Sequence, residues 1–404
     1  MDYTVKSRKE LLDICKERRV RGISGKTKDE LIRLLSSTAN VIVDSTQAPQ
    51  QPTKVCRLNY IGSKFQLLDW LDESIKTKTG WQSLQTKTVA DLFAGTGIVS
   101  HHIRNQGATV VSNDAELYSS IIAHAFTRST YTDKCKETLV ALQKELDESK
   151  HCTTFGFVTT HYSPHNANER KFFTVDNAQR IDYIRVRIED LKSQHTNDEH
   201  MFILASLLIS ADAVSNVPAV YGCYLKSFKS KATKQMTLNP IHTVASPAPA
   251  ASKTYNADVL NTEFLRSFES DIVYLDPPYN ARQYSKNYFP LNIIAKTPTQ
   301  LTSEPPLKGK TGIPTDCFLS AFCRKGAVVE NAFETLFREL KTQWIFLSYN
   351  SESIVGKDKM LEIMQKYGTA TVIERDYKRF KSFEYNNDVD IKEYLFCLHK
   401  VHNA

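Results

Sequence analysis

The sequence predicts an α/β fold, a mixed and mainly parallel sheet with helices on both faces, preceded by a small helical unit. Three stretches predict it. Asp271-Ile272-Val273-Tyr274-Leu275 is a short β-branched and aromatic run that reads as a buried strand. Asp276-Pro277-Pro278-Tyr279 stops it, because consecutive prolines cannot continue a ladder. A second strand begins at Val89 and runs into the turn Phe93-Ala94-Gly95-Thr96-Gly97, with a helix starting near Ile98. A third covers residues 108–114 and ends in Asp114. In open α/β sheets ligands lie at the carboxyl ends of strands, where all three motifs sit.

The residue types at those ends limit the chemistry. An aspartate side chain and a stiff backbone carbonyl can both accept hydrogen bonds from an amino group, and proline fixes φ and so aims the carbonyls. Tyr279 offers a flat face, and stacking on a base is worth roughly 1–3 kcal/mol. The set suits the exocyclic amine of a nucleobase, whose lone pair is delocalised into the ring. Acceptors on both N–H bonds favour a tetrahedral nitrogen with its lone pair free to attack. Read as structure alone, the same tetrapeptide is a capped Pro-Pro turn. The glycine turn lets a ligand approach the backbone, and the helix N-terminus favours an anion. The dinucleotide fingerprint fails at Ser100, and no Gly-Lys-Ser/Thr follows to make a phosphate loop. Asp114 stands about 20 residues on, where a ribose hydroxyl is bound. Together these features point to S-adenosylmethionine.

Asn59-Tyr60-Ile61-Gly62-Ser63-Lys64, then Asp91-Leu92-Phe93-Ala94-Gly95-Thr96-Gly97, then Asp276-Pro277-Pro278-Tyr279 resemble, in that order, the motifs of the Dam-type (alpha-group) adenine-N6 DNA methyltransferases. The resemblance covers roughly residues 54–400. It implies a Rossmann-like S-adenosylmethionine-dependent methyltransferase sheet acting on an adenine flipped out of duplex DNA, in an enzyme of restriction-modification type. It implies Asp276, Pro277, Pro278 and Tyr279 as the catalytic set. Asp276 and the Pro277 carbonyl orient the amine, and Tyr279 stacks on the base. For the cofactor it implies Tyr60, Gly62 and Lys64, with Lys64 on the methionyl carboxylate. Asp91, Phe93, Gly95 and Gly97 form the turn, Asp114 takes the ribose, Asp258 takes the adenine amine, and Asp276 closes the site. A lysine at a helix start sits badly with the helix dipole unless an anion is near. The methyl passes directly to nitrogen, with no covalent enzyme intermediate and no metal. Cytosine-N4 methylation is the nearest rival; Asp rather than Ser before Pro-Pro argues for adenine. RNA or protein methylation can share such a loop, and a catalytically silent DNA-binding protein is the rival of another class.

Composition agrees. A chain of 404 residues holds one large α/β domain and a small one. A net charge of +7 favours a polyanionic partner, here double-stranded DNA. The resemblance adds a cognate restriction endonuclease as a further partner, with the enzyme a monomer or weak dimer. Eight cysteines without a C-x-x-C pair indicate neither a zinc site nor a disulfide framework. Free thiols, the lack of a signal peptide and an apolar run of only residues 201–209 predict an intracellular, soluble protein without a membrane span.

The expected domains run in order. Residues 1–36 carry capping boxes at Ser7/Glu10 and Thr27/Glu30, with apolar stripes at Leu11, Leu12 and Cys15 and at Leu31, Ile32, Leu34 and Leu35. The basic turn between them, with Arg18, Arg19, Arg21 and Lys26, resembles a SAP motif, a small DNA-binding module that contacts phosphates more than bases. Residues 37–53 read as a flexible linker. Residues 54–128 form the cofactor-binding part, 129–255 a target-recognition insert with helices at 134–150, 177–193 and 198–214, and 256–404 the catalytic part. In the insert Tyr221, Lys226, Lys229 and Lys231 interleave lysine with aromatics, as a nucleic-acid surface does. Residues 221–229 resemble restriction-modification enzymes that methylate short palindromes such as CATG. Residues 243–252 read as a mobile excursion, and His101 and His102 as helix-surface residues. Arg282 follows the catalytic tetrapeptide as a DNA contact. Lys378 and Arg379 belong to a basic hairpin bordering the base pocket. Strands are expected at 344–350 and at 393–398, the last of the sheet.

Overall fold

The run Ser270–Leu275 lies in the middle of a seven-stranded sheet, its last four residues buried. Ile272 and Tyr274 face one hydrophobic cluster, Val273 and Leu275 the other, so both faces are covered and the run is apolar throughout rather than alternating. The computed structural model describes residues 6–17, 27–37, 55–165, 169–377 and 391–400. The chain divides into two units, Met1–Thr53 and Lys54–Ala404.

In the first unit, helices α1 (Arg8–Glu17) and α2 (Lys28–Ser37) bury Leu11 and Leu31 against each other. Both start at the expected capping boxes. The Ser7 N–H donates to Glu10 Oε2 at 2.7 Å and the Thr27 N–H to Glu30 Oε2 at 2.7 Å. The basic turn with Arg18, Arg19, Arg21 and Lys26 lies outside the described residues, as do Lys378 and Arg379.

The second unit opens with α3 (Leu68–Thr79), β1 (Thr88–Asp91), α4 (Ile98–Asn105), β2 (Thr109–Asn113) and α5 (Leu117–Thr127). The insert follows with α6 (Asp133–Asp147), α7 (Phe157–Tyr162), α8 (Val175–Asp190) and α9 (Asn197–Ala213), and the chain returns through β3 (Lys253–Tyr255). Then come α10 (Thr262–Arg266), β4 (Ser270–Leu275), α11 (Tyr284–Ala295), α12 (Pro298–Thr302), the small ribbon β5 (Leu307–Lys308) and β6 (Ile313–Pro314), and α13 (Ala327–Glu339). The chain closes with β7 (Thr342–Asn350), α14 (Lys357–Gln365), β8 (Gly368–Tyr377) and β9 (Ile391–Lys400). The sheet order is β3-β2-β1-β4-β7-β9-β8, parallel up to β7, with β9 and β8 antiparallel. The strand expected last is β9. It is last in sequence but lies inside the sheet, with β8 on its outer edge.

Helices α3 and α4 cover one face, and α10, α13 and α14 the other. The insert helices pack with α5 and α11 into a separate bundle. At its centre α9 is buried at residues 200 and 202–212, nearly all round, as a core helix must be. Among the described residues no helix is long and apolar enough to cross a membrane.

Two local expectations change. Residues 243–252 are anchored: Val244 and Ser252 are buried, the Val110 N–H donates to Ser252 Oγ at 3.0 Å, and Arg104 donates to the Ser246 carbonyl at 2.9 Å. His101 is buried rather than on the helix surface, its ring against Phe126 and His242. Their shared cause is tertiary: α4 lies under the start of the insert, so its polar side chains face protein.

Arg104 is buried and also donates to the carbonyls of Phe126 (3.0 Å) and Ser129 (2.6 Å). Arg104→Met keeps the stem and strands these acceptors, so a loss of roughly 3 kcal/mol is expected in urea unfolding. An unchanged midpoint would mean that the carbonyls find other donors.

Candidate active site

The carboxyl ends of β1, β2 and β4 open into one cleft of about 930 Å³, counting its mouth. Its walls bring together Tyr60, Gly62, Lys64, Asp91, Phe93, Gly95, Asp114, Asp258 and Asp276 to Tyr279, residues drawn from well-separated stretches of sequence.

Asp276 follows β4 directly, and the prolines then end the ladder. The Tyr279 carbonyl accepts the Ile354 N–H at 3.0 Å, which ties the tetrapeptide down from outside. Asp276 Oδ1 lies 2.8 Å from Lys64 Nζ, and Lys64 is 7% exposed. Burial pushes the Asp276 pKa up, and the Lys64 ammonium opposes that. Burial likewise disfavours the ammonium, but the carboxylates of Asp276 and Glu393 outweigh it and hold its pKa above the ordinary value. Lys64 therefore points at Asp276 and at the Gly62 carbonyl (3.1 Å), where the sequence reading expects a methionyl carboxylate as its partner. A desolvated carboxylate needs a counter-charge, and Lys64 supplies it.

The glycine turn is braced by Asp114, whose oxygens accept the N–H groups of Gly95 (2.8 Å) and Glu116 (2.9 Å). Gly95 has φ +53°, and a Cβ there would stand 3.3 Å from the Tyr60 ring, so only glycine lets the loop Asn59 to Lys64 close over the turn. Gly97 differs from expectation. It is not part of the cleft wall, and a Cβ would meet Phe126 at 2.8 Å and the Ala123 backbone at 3.1 Å. Its role is to let α4 pack on α5, not to admit a ligand. Asp91 is 1% exposed; Oδ2 accepts from Ser100 at 2.7 Å, and Oδ1 has no protein partner. Burial raises its pKa to about 7, with Asp276 and Asp114 adding to the rise. Asp258 stands exposed on the wall, its Oδ1 on the Leu260 N–H at 3.0 Å; α10 takes Asn261 as its cap instead.

Several wall residues escape the sequence reading. Glu116 is buried beside the cleft, held by Asn292 at 2.6 Å, with burial raising its pKa to about 7. Tyr284 and Tyr288 stack around Tyr60, and their hydroxyls bond the Ile61 carbonyl (3.2 Å) and N–H (3.0 Å). Their i,i+4 spacing was the one signal of it. Phe318, Ser320 and Phe322 form the outer wall, joined to Gln283 through Ser320 (2.8 and 3.2 Å), from a stretch with no periodicity to read.

Of the candidate DNA contacts, Lys226 and Arg282 are exposed and Lys229 is half-buried. Tyr221 is corrected: it is 1% exposed, packed on Phe172 and Phe173, with its hydroxyl on Asp212 at 2.8 Å. An aromatic in a basic stretch reads as surface, but here it is the stretch's anchor. Lys231 is half-buried and turns inward, its Nζ 3.4 Å from Ser215 Oγ.

The cleft is thus rich in carboxylates, with one buried oxygen unpartnered and glycine backbone within reach. A ligand carrying an ammonium and a sulfonium, such as S-adenosylmethionine, fits that donor set.

Comparison with known proteins agrees. The chain matches the family described as D12 class N6 adenine-specific DNA methyltransferase over residues 60–363. It is 40% identical over 343 residues to the type II methyltransferase M.CviAII of Paramecium bursaria Chlorella virus 1, covering 85% of this chain and 98% of that one. It is 37% identical over 335 residues to the type II methyltransferase M.NlaIII of Neisseria lactamica, covering 82% and 94%. With the type II methyltransferase M.FokI of Planomicrobium okeanokoites it shares 32% over 357 residues, 85% of this chain and 53% of that one.

The Asp91 carboxyl gives a pH test. The folded state holds its proton up to about pH 7, whereas the unfolded chain releases it near the ordinary value of 3.8. Stability from this group is fully present below the unfolded value and is lost as pH rises through 7. Asp91→Asn escapes that loss. Its stability relative to wild type should rise by roughly 2–4 kcal/mol between pH 4 and pH 8 in denaturant titrations. A pH-independent difference would refute the raised pKa.

Proposed function

The chain belongs to the D12 class N6 adenine-specific DNA methyltransferase family, and from that premise we propose how its residues carry out the reaction. It transfers a methyl group from S-adenosylmethionine to the exocyclic amine of adenine in DNA, as an enzyme of restriction-modification type. One observation carries the residue-level reading. Asp276 to Tyr279 end the central strand in the same cleft as the glycine turn and Asp114.

The target adenine leaves the duplex stack at a cost of a few kcal/mol. Tyr279 receives its face. Asp276 Oδ2 and the Pro277 carbonyl each accept an amine N–H, which withdraws the nitrogen lone pair from the ring and aims it. Lys64, paired to Oδ1, opposes the rise that burial gives the Asp276 pKa and so favours the ionised form, which accepts rather than donates. S-adenosylmethionine supplies an electrophilic methyl on its sulfonium. The surplus amine proton is then taken up at Asp276. Asp91 Oδ1 and the Glu116 carboxylate favour the cofactor's cationic groups, and Asp114 and Asp258 the ribose and adenine. Tyr60, Gly62, Phe93 and Gly95 shape the cradle.

DNA is held, in this reading, by Lys226, Lys229 and Arg282 and by the basic stretch with Lys378 and Arg379. The resemblance at residues 221–229 favours a short palindromic site of the CATG kind. Residues 1–36 act as a SAP-like tether through Arg18, Arg19, Arg21 and Lys26. A cognate endonuclease is the matching partner, and the reaction runs inside a cell, where the DNA is.

The reaction is tested by mass spectrometry of nucleosides from duplex DNA treated with enzyme and cofactor. Wild type should yield N6-methyladenine, and Asp276→Asn should lose about 100-fold or more in turnover while keeping cofactor affinity within a few-fold. N4-methylcytosine as the product would overturn the reading.

The tether is tested by removing residues 1–53. Site choice and turnover should persist, while the slope of log affinity against log salt flattens by about 0.9 for each phosphate no longer neutralised. An unchanged slope would remove the tether.

A further inference from the structure

A carboxylate sits where an apolar helix would place none. Asp212 ends the buried run of α9 among Ile, Leu and Ala, is 2% exposed, and has its pKa raised by burial. Among the described residues no cation makes a direct salt bridge with it; the Lys231 ammonium meets its backbone carbonyl at 3.5 Å and offsets the effect of burial only in part. The hydrogen bonds of the carboxylate go to two loops, one far away in sequence and one just after α9. Oδ2 accepts both the Asn59 N–H (2.9 Å) and the Asn59 side-chain amide (2.8 Å), and Oδ1 accepts the Tyr221 hydroxyl (2.8 Å). The path then closes on itself. The Tyr221 N–H donates to the Asn287 carbonyl at 2.7 Å, and the hydroxyl of the next residue, Tyr288, accepts the Ile61 N–H at 3.0 Å. Ile61 stands two residues from Asn59. The circuit joins the loop Asn59 to Lys64, the insert loop after α9, and the helix that follows the catalytic tetrapeptide.

We propose that Asp212 is a positioning residue of the cofactor site: from the insert, it holds the loop Asn59 to Lys64 against the glycine turn and so sets cofactor affinity. This rests on the reading of that loop as part of the cofactor wall. The reasoning is energetic. A buried carboxylate without a paired cation is costly and persists where its acceptors are needed. The two donors on Oδ2 adjoin Tyr60, whose ring closes over Gly95, and lie five residues before Lys64. Loosening Asn59 therefore loosens the Tyr60 lid of the cradle. Lys64 itself stays buried against Asp276, so the effect falls on binding more than on the chemical step.

Asp212→Asn keeps the shape and leaves one acceptor oxygen for the three donors from Asn59 and Tyr221, weakening the charge-assisted hold on Asn59. Titration with S-adenosylhomocysteine and steady-state kinetics should show cofactor Kd and KM raised about tenfold, with kcat at saturating cofactor and DNA affinity both within threefold of wild type. Tyr221→Phe, which keeps the ring packing, should move cofactor affinity the same way by a smaller factor. Asn59→Ala combined with Asp212→Asn should be no worse than the stronger single variant, since both cut one link. A folded Asp212→Asn that binds S-adenosylhomocysteine within twofold of wild type overturns the proposal. So do additive effects in the double variant, or cofactor affinity, DNA affinity and thermal stability falling together, which mark a merely structural residue. Tyr60→Ala separates the premise: if it leaves cofactor affinity unchanged, the loop is not a cofactor wall; if it weakens binding while Asp212→Asn does not, the wall is real and Asp212 does not position it.

Discussion

The ion pair between Lys64 and Asp276, 2.8 Å long and largely shielded from water, is the constraint around which the site is arranged. Asp276 stands at the end of a buried strand, where a carboxylate is costly to hold ionised alone. The ammonium that permits it comes from a loop more than two hundred residues earlier. That loop in turn needs glycine at 95 beneath it, tyrosines 284 and 288 beside it, and Asp212 behind it. These contacts come from elements distant in sequence, so the geometry of one motif depends on the others.

The helical insert has a part in this beyond carrying lysines. Its bundle shares α5 and α11 with the methyltransferase sheet, and α11 begins just after the catalytic tetrapeptide. The insert helices and Tyr60, on one wall of the cleft, thus belong to one hydrophobic cluster. Interiors of this density transmit small shifts rather than absorbing them.

Much of this was legible in the sequence, and the reasons are specific. Consecutive prolines after a β-branched run can mean little except a stopped strand, and β4 ends there. The Ser7 and Thr27 boxes are local chemistry, so they appear where the pattern places them. The strands at 109–113 and 342–350 follow from apolar runs bounded by polar ends. What was not legible depends on partners distant in sequence. Gly97 resembles a ligand-facing glycine until Phe126 is seen against it, and Tyr221 resembles a surface aromatic until Asp212 is seen beneath it. Small and polar residues made 243–252 look loose, yet Arg104 and Val110 hold its backbone and side chains. The outer wall at 318–322 has no period at all and is placed by distant partners, Gln283, Ser285 and the rings of Phe93 and Phe333.

The position of the insert in the sheet has a consequence for how such enzymes diversify. It leaves after α5 and returns through β3, which pairs only with β2 at the sheet edge. Nothing between β1, β4 and β7 is interrupted, so by topology the insert is a cassette that could be exchanged for one reading another site. The Asp212 contacts make the exchange conditional. A replacement cassette must end its central helix with an acceptor for Asn59, or it alters the cofactor cradle while changing only the target. If the insert reads the site, as proposed, its exchange is limited by whether the replacement carries its own latch for Asn59.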